Sequence, residues 1–152
     1  MNESIQNTIE IAVPPQTLYQ YITQPWLWHE WHPNSVSASA TVDTLKAGDS
    51  FDEVVELQPI SPIPLKMRRY PHYKVVAAIP SVQWQVEGTM KGGWLKIRYD
   101  FEPSKSGVIF TRTLTYGATG ITRIIQPLLR PRMKAMSRLA VERLKTKVES
   151  IA

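Results

Sequence analysis

The stretch from Thr122 to the end of the chain, TRIIQPLLRPRMKAMSRLAVERLKTKVESIA, constrains the fold more than any other. Leu129, Met133, Met136, Ala140, Leu144 and Val148 recur at steps of four, three, four, four and four, which places them on one stripe of a 3.6-residue helix. Lys134, Arg138 and Lys145 fall on the opposite face, so this helix has a wet side and a side that needs burial. An interior proline costs a helix about 3 kcal/mol. Pro127 and Pro131 therefore predict a short turn over 121–126 and the main helix after it.

What precedes the helix is mostly strand. Residues 4–13 alternate, with Ile5, Ile9, Ile11 and Val13 on one face against Gln6, Thr8 and Glu10. Pro14 and Pro15 end that strand, and Pro15 opens a short helix in which Leu18, Tyr21 and Ile22 share a face. A second short helix is expected from Pro25 to a stop at Pro33, carrying Trp26, Trp28 and Trp31, with most of that aromatic load in the core or a cavity wall. Strands are then expected over 36–45, 51–58, 65–79 in two parts broken near Tyr70, Pro71 and His72, 82–90, 94–102 and 108–116. The segment 59–64, PISPIP, is too rich in proline for a central strand and reads as a loop or an edge. Gly92-Gly93 is a hairpin signal. Hairpin-length turns imply an antiparallel sheet with one face covered by the long helix, an α+β architecture.

Composition narrows the function classes. With 152 residues the chain is expected to be one domain, 1–152, large enough for a core and a modest cavity. It has no cysteine, which removes disulfides, thiol nucleophiles and thiolate metal sites. The N-terminal MNESIQNTIEIAV alternates and has no basic leader, so neither a signal peptide nor a membrane span is expected, and a cytoplasmic location is the simplest. Residues 121–152 carry eight Lys and Arg against two Glu, so the whole excess of the +5 net charge lies in the terminal segment. That is read as a solvated helix face or as contact with an anionic membrane. Nucleic acid is not expected, because no base-reading or phosphate-loop motif accompanies the charge.

Several strings resemble the helix-grip (SRPBCC) superfamily of START lipid-transfer domains, the birch pollen allergen and polyketide cyclase/dehydrase proteins. IEIAVPPQTLYQYITQPWLWHEWHP is similar to its first strand, paired prolines and two short helices. LKAGDSF, YKVVAAIPSVQWQVEG, GVIFTRTLTY and PLLRPRMKAMSRLAVERLKTKVE resemble its later strands and closing helix, whereas residues 58–72 with Arg68 and Arg69 depart from it. The resemblance implies a curved antiparallel sheet of about six to seven strands wrapped around the C-terminal helix, two short helices after the first strand, and a mainly apolar cavity between sheet and helix. It also implies a hydrophobic small-molecule ligand, lipid, polyketide-like or quinone-like. No string is a catalytic signature.

On strand faces that are otherwise apolar, Arg112 stands between Phe110 and Leu114, and Glu53 between Phe51 and Val55. If those faces point inward, each charge needs a partner, either the other, a ligand or water at the wet end of the sheet. Tyr73 and Tyr99 add phenols. Ligand contact is expected from Trp28, Trp31, Phe51, Glu53, Val55, Tyr73, Trp84, Val86, Ile97, Tyr99, Phe110, Arg112, Leu114, Met133 and Met136. His29 and His32 flank Glu30 but stand three apart with no third ligand in view, so they are read as surface or helix-end residues; neither metal nor cofactor is expected. Three functions fit: a carrier for a hydrophobic molecule; a cyclase/dehydrase using Arg112, Glu53 and Tyr99 for acid-base chemistry; or a membrane-surface quinone or lipid chaperone using the basic helix face.

Overall fold

The computed structural model describes residues 2–59 and 62–151. Its elements run β1 (Glu3–Ile11), α1 (Pro15–Ile22), a 3-10 turn (Pro25–Glu30), β2 (Ser35–Ala40), β3 (Ser50–Leu57), β4 (Met67–Arg69), β5 (His72–Ile79), β6 (Gln83–Met90), β7 (Gly93–Pro103), β8 (Val108–Ala118), a second 3-10 turn (Gly120–Ile124) and α2 (Gln126–Ile151). All pairings are antiparallel, in the spatial order β1-β8-β7-β6-β5-β3-β2, with the three-residue β4 paired to β3 beside β5. The sheet curls around α2, as the resemblance implied. Bulges between Ser35 and Ser37 and between Val75 and Ala77 add local bend.

Alternation decides which residues face the helix. Along β8, Val108, Phe110, Arg112, Leu114 and Tyr116 are buried while the threonines between them are half-buried on the outer side. Along β7 the inward set includes Ile97, Tyr99 and Phe101. First and last elements are fastened together. Lys145 Nζ donates to the Glu10 carbonyl at 2.9 Å, the Ala12 N–H donates to Glu149 Oε2 at 2.8 Å, and Arg130 Nη2 pairs with Glu3 Oε2 at 2.5 Å.

Several expectations need correction. The strand expected over 36–45 is only Ser35–Ala40, and Val36 and Val42 are exposed, because the chain leaves the sheet at bends from Thr41 and returns only Leu45 to the core. Val82 is exposed, one residue before β6 begins. Lys145 is not on a free wet face, since its ammonium is bound to Glu10 and Glu149. The loop expected over 59–64 has irregular backbone where it is described; Ile60 and Ser61 lie outside the described residues.

The helical stripe divides in two. Ala140, Leu144 and Val148 are fully buried against the sheet, whereas Leu129, Met133 and Met136 are only half-buried. The C-terminal half of α2 is therefore packed, and the N-terminal half leaves space beneath it.

Candidate functional site

That space is a cavity of about 150 Å³ between the N-terminal half of α2 and the inner faces of β3, β5, β7 and β8. One end is closed by Trp28. The 3-10 turn carrying it lays the indole edge-on against Phe51, Tyr73, Trp84 and Tyr99, at centroid distances of 5.6, 6.2, 6.0 and 6.4 Å, and its Nε1–H donates to the Ile22 carbonyl at 2.7 Å. With its N–H satisfied and five aromatic neighbours, Trp31 being the fifth, the buried indole is a rigid wall. Apolar lining comes from Val55, Leu57, Ile97, Leu114, Leu129, Met133 and Met136. A second hollow of about 100 Å³ shares Leu57, Leu129, Met133 and Met136 with the first and is bordered by Arg69, Lys91 and Arg132.

The polar groups gather on the cavity wall. Glu53 on β3 is 5% exposed and accepts a hydrogen bond from the Tyr73 phenol at 2.9 Å. Burial pushes its carboxyl up to about 7, with the hydroxyls of Ser35 and Tyr73 and the charge of Arg112 opposing the rise. Tyr99 lines the same cavity, and burial raises its phenol above the usual range while Arg112 opposes the rise.

Arg112, 3% exposed on β8, does not form an ion pair with Glu53. Its Nη1 donates to Ser137 Oγ on α2 at 3.3 Å, and its Nε finds no acceptor among the described residues. Its Nη2 stands 3.3 Å from His32 Nε2. Burial, and next the charges of Arg112 and Arg143, hold the His32 ring well below its ordinary pKa, so it is neutral at pH 7. The Asn34 N–H donates to His32 Nδ1 at 3.1 Å, and a neutral ring that accepts there carries its proton on Nε2, whereas a ring that accepts from Arg112 carries it on Nδ1. In the first form two donors, Arg112 Nη2 and His32 Nε2, face each other beside the cavity. An acceptor atom beside them would satisfy both the imidazole and the guanidinium.

Ten of the expected contact residues line this cavity: Trp28, Glu53, Val55, Tyr73, Ile97, Tyr99, Arg112, Leu114, Met133 and Met136. Trp31, Phe51, Trp84, Val86 and Phe110 do not; they are packed to 1% exposure or less, because the Trp28 wall fills the space above that end of the sheet. His32 stands at the end of the 3-10 turn, as one of the two readings had it, and there borders the cavity, while His29 is exposed. Tyr21 donates to Glu30 at 2.6 Å, and among the described residues no three His, Cys, Asp or Glu cluster as metal ligands would. Sequence reading missed Asn34, Leu57, Met90, Trp94, Tyr116 and Ser137. Ser137 did leave a signal, since it lies four residues after Met133 and three before Ala140, a small polar residue in register with the apolar stripe.

Solved structures show the same fold at low identity. TTHA0849 from Thermus thermophilus superposes with a TM-score of 0.75 at 14% identity, covering 99% of each chain. A START superfamily protein from Mycobacterium smegmatis gives 0.74 at 12% identity, covering 98% of this chain and 99% of its own. Protein CV1439 from Chromobacterium violaceum gives 0.70 at 12% identity, with 97% and 98% covered. No curated protein sequence matches the chain. Residues 2–149 match a single family along their whole length, and the chain belongs to that family, described as polyketide cyclase / dehydrase and lipid transport.

Proposed function

We propose that residues 1–152 act as one carrier or binding domain for a hydrophobic small molecule bearing a hydrogen-bond acceptor, held in the cavity between the sheet and α2. The reading rests above all on Arg112, a buried guanidinium beside an apolar cavity with an unpartnered Nε. An apolar ligand body would rest on Leu114, Met133 and Met136 while a carbonyl, carboxylate or phenolate oxygen met Arg112 and His32. Methionine suits such a wall because its flexible thioether adapts to irregular shapes. Lipids, polyketide-like and quinone-like compounds all have these parts, and a cytoplasmic location belongs to the same reading. No helix among the described residues is long and apolar enough to cross a membrane.

A second reading is an enzyme of the cyclase/dehydratase type. It is favoured by one observation, that Glu53, Tyr99 and Arg112 border one cavity, where burial pushes the Glu53 carboxyl up to about 7. Ionised Glu53 would remove a proton alpha to a ketone, and Arg112 with Tyr99 would stabilise the enolate oxygen. The enolate carbon would attack a second carbonyl of the same molecule, and the proton would pass to the new alkoxide.

Native mass spectrometry of protein purified from its own host, followed by extraction of any bound compound, tests both readings. A stoichiometric hydrophobic compound with an acceptor oxygen supports the carrier. Conversion of a poly-keto compound by the wild type and its loss in Glu53→Gln supports the enzyme. A clean apo mass, with no thermal shift across lipid and aromatic polyketide panels, overturns the carrier reading.

A further inference from the structure

The rim of the cavity is built from two segments that contain no carboxylate, residues 62–71 and 118–134. They meet at the outer hollow, where Met67 and Arg69 face Thr122, Ile125 and Arg132. Thr122 fastens the second 3-10 turn to the β6–β7 hairpin, donating its hydroxyl to the Gly92 carbonyl at 2.7 Å. Among the described residues, Arg69, Lys91, Arg123, Arg132 and Lys134 have no carboxylate within ion-pair distance. Arg69 spends its donors on main-chain carbonyls, those of Arg68 and Lys91. Lys66 and Arg68 on these segments pair with Glu56, and Arg130 with Glu3, so the positive charge at the mouth is only partly compensated.

The same rim exposes large aliphatic side chains. Ile121 is 84% exposed, Ile124 78% and Leu128 60%. They follow at steps of three and four, so they form one outward row, and each directly precedes a residue turned toward the hollow: Thr122, Ile125 and Leu129. On the facing segment Leu65 is 63% exposed. A row of exposed aliphatics flanked by unpaired cations is costly in water, and its chemistry complements an anionic lipid surface, which offers acyl chains to the one and phosphates to the other.

We infer that this rim, the Ile121–Ile124–Leu128 row with Arg69, Arg123 and Arg132, docks the protein on an anionic membrane with the cavity mouth facing the lipid. The inference rests on the carrier reading for its purpose, because a mouth pressed to a bilayer lets an apolar ligand cross between membrane and cavity without meeting water. The docking surface itself is separable from it. It also relocates the membrane contact from the outer face of α2 to the 3-10 turn and first turns of that helix.

Co-sedimentation with vesicles tests the surface, using phosphatidylcholine alone and phosphatidylcholine mixed with phosphatidylglycerol. The wild type should bind the mixed vesicles and release in high salt. Removing Arg69 and Arg132 as glutamines should weaken binding about fivefold for each residue. Ile121→Asp with Ile124→Asp should abolish binding while leaving circular dichroism and the thermal midpoint unchanged, since both side chains lie outside the core. Equal binding to both vesicle types, or undiminished binding by the aspartate variant, overturns the inference. So does a wild-type dimer that the aspartate variant dissociates while neither binds vesicles, for the row would then join two copies of the chain. Fluorescence of anilinonaphthalene sulfonate, displaced by filling the cavity with Met133→Trp, reports ligand binding separately. Vesicle binding without cavity binding removes the carrier reading and keeps the docking surface; cavity binding without vesicle binding does the reverse.

Discussion

Tyr73 and Glu53, on the paired strands β5 and β3, share a buried hydrogen bond in which the phenol donates to the carboxylate Oε1 across 2.9 Å. It is the pair, rather than an ion pair with Arg112, that accommodates a carboxyl group in an apolar wall. The arrangement leaves Arg112 free to face the ligand space, and it depends on how closely Tyr73 lies to the neighbouring strand.

That closeness rests on Gly88. A Cβ at Gly88 would stand 2.6 Å from the Tyr73 ring. Gly88→Ala should push the phenol off Glu53, costing about 2 kcal/mol for the strain and the buried acceptor left without its donor. Chemical denaturation measures the loss, and because the clash needs the Tyr73 ring, Gly88→Ala combined with Tyr73→Ala should lose less than the sum of the two single changes.

Stability should depend on pH through Glu53. Its folded-state carboxyl titrates at about 7 against an ordinary 4.5, so the folded protein holds the proton more tightly than the unfolded chain. The contribution of this group is thus fully present below about 4.5 and is lost as pH rises through about 7. Glu53→Gln cannot ionise. Its stability relative to wild type should improve by up to about 3 kcal/mol between those limits, measured by urea unfolding in a pH series.

Arg112 should separate binding from stability. Replacing a buried charge with an apolar residue of similar shape is often neutral or stabilising. Arg112→Met should therefore leave the apo thermal midpoint unchanged or raised. Its affinity for the compound that co-purifies with the wild type should fall by at least about tenfold, the worth of a charge-assisted hydrogen bond, as read by calorimetry.

The two halves of α2 should respond differently to truncation. Leu144 is fully buried, and Leu144→Ala should cost about 3 kcal/mol. Met133 borders an existing hollow, so Met133→Ala should cost about 1 kcal/mol or less in the apo protein. Equal costs in denaturant titrations would mean that the N-terminal half of α2 is as tightly packed as the C-terminal half.

Periodicity carried the fold. The alternation through Ile97, Tyr99 and Phe101, and the steps through Ala140, Leu144 and Val148, each admit one burial face, so strand and helix identities follow from local residue order. The same alternation is enough to put Arg112 and Glu53 on inward faces, where both are buried. It does not tell a cavity wall from packed core. Phe51 and Tyr73 are paired in register and stacked at 4.7 Å, yet only Tyr73 borders the cavity.

What separates them is Trp28, brought over one end of the sheet by a turn more than twenty residues away in sequence from both. His32 joins Arg112 across eighty residues, and Ser137 reaches it across twenty-five. Residue order alone settles which faces are apolar, because side-chain direction along a strand or helix is a local property of the backbone. Where those faces touch and where they stay apart is settled by the packing of distant elements, because an unfilled volume belongs to several of them at once and has no signature in the order of residues of any one.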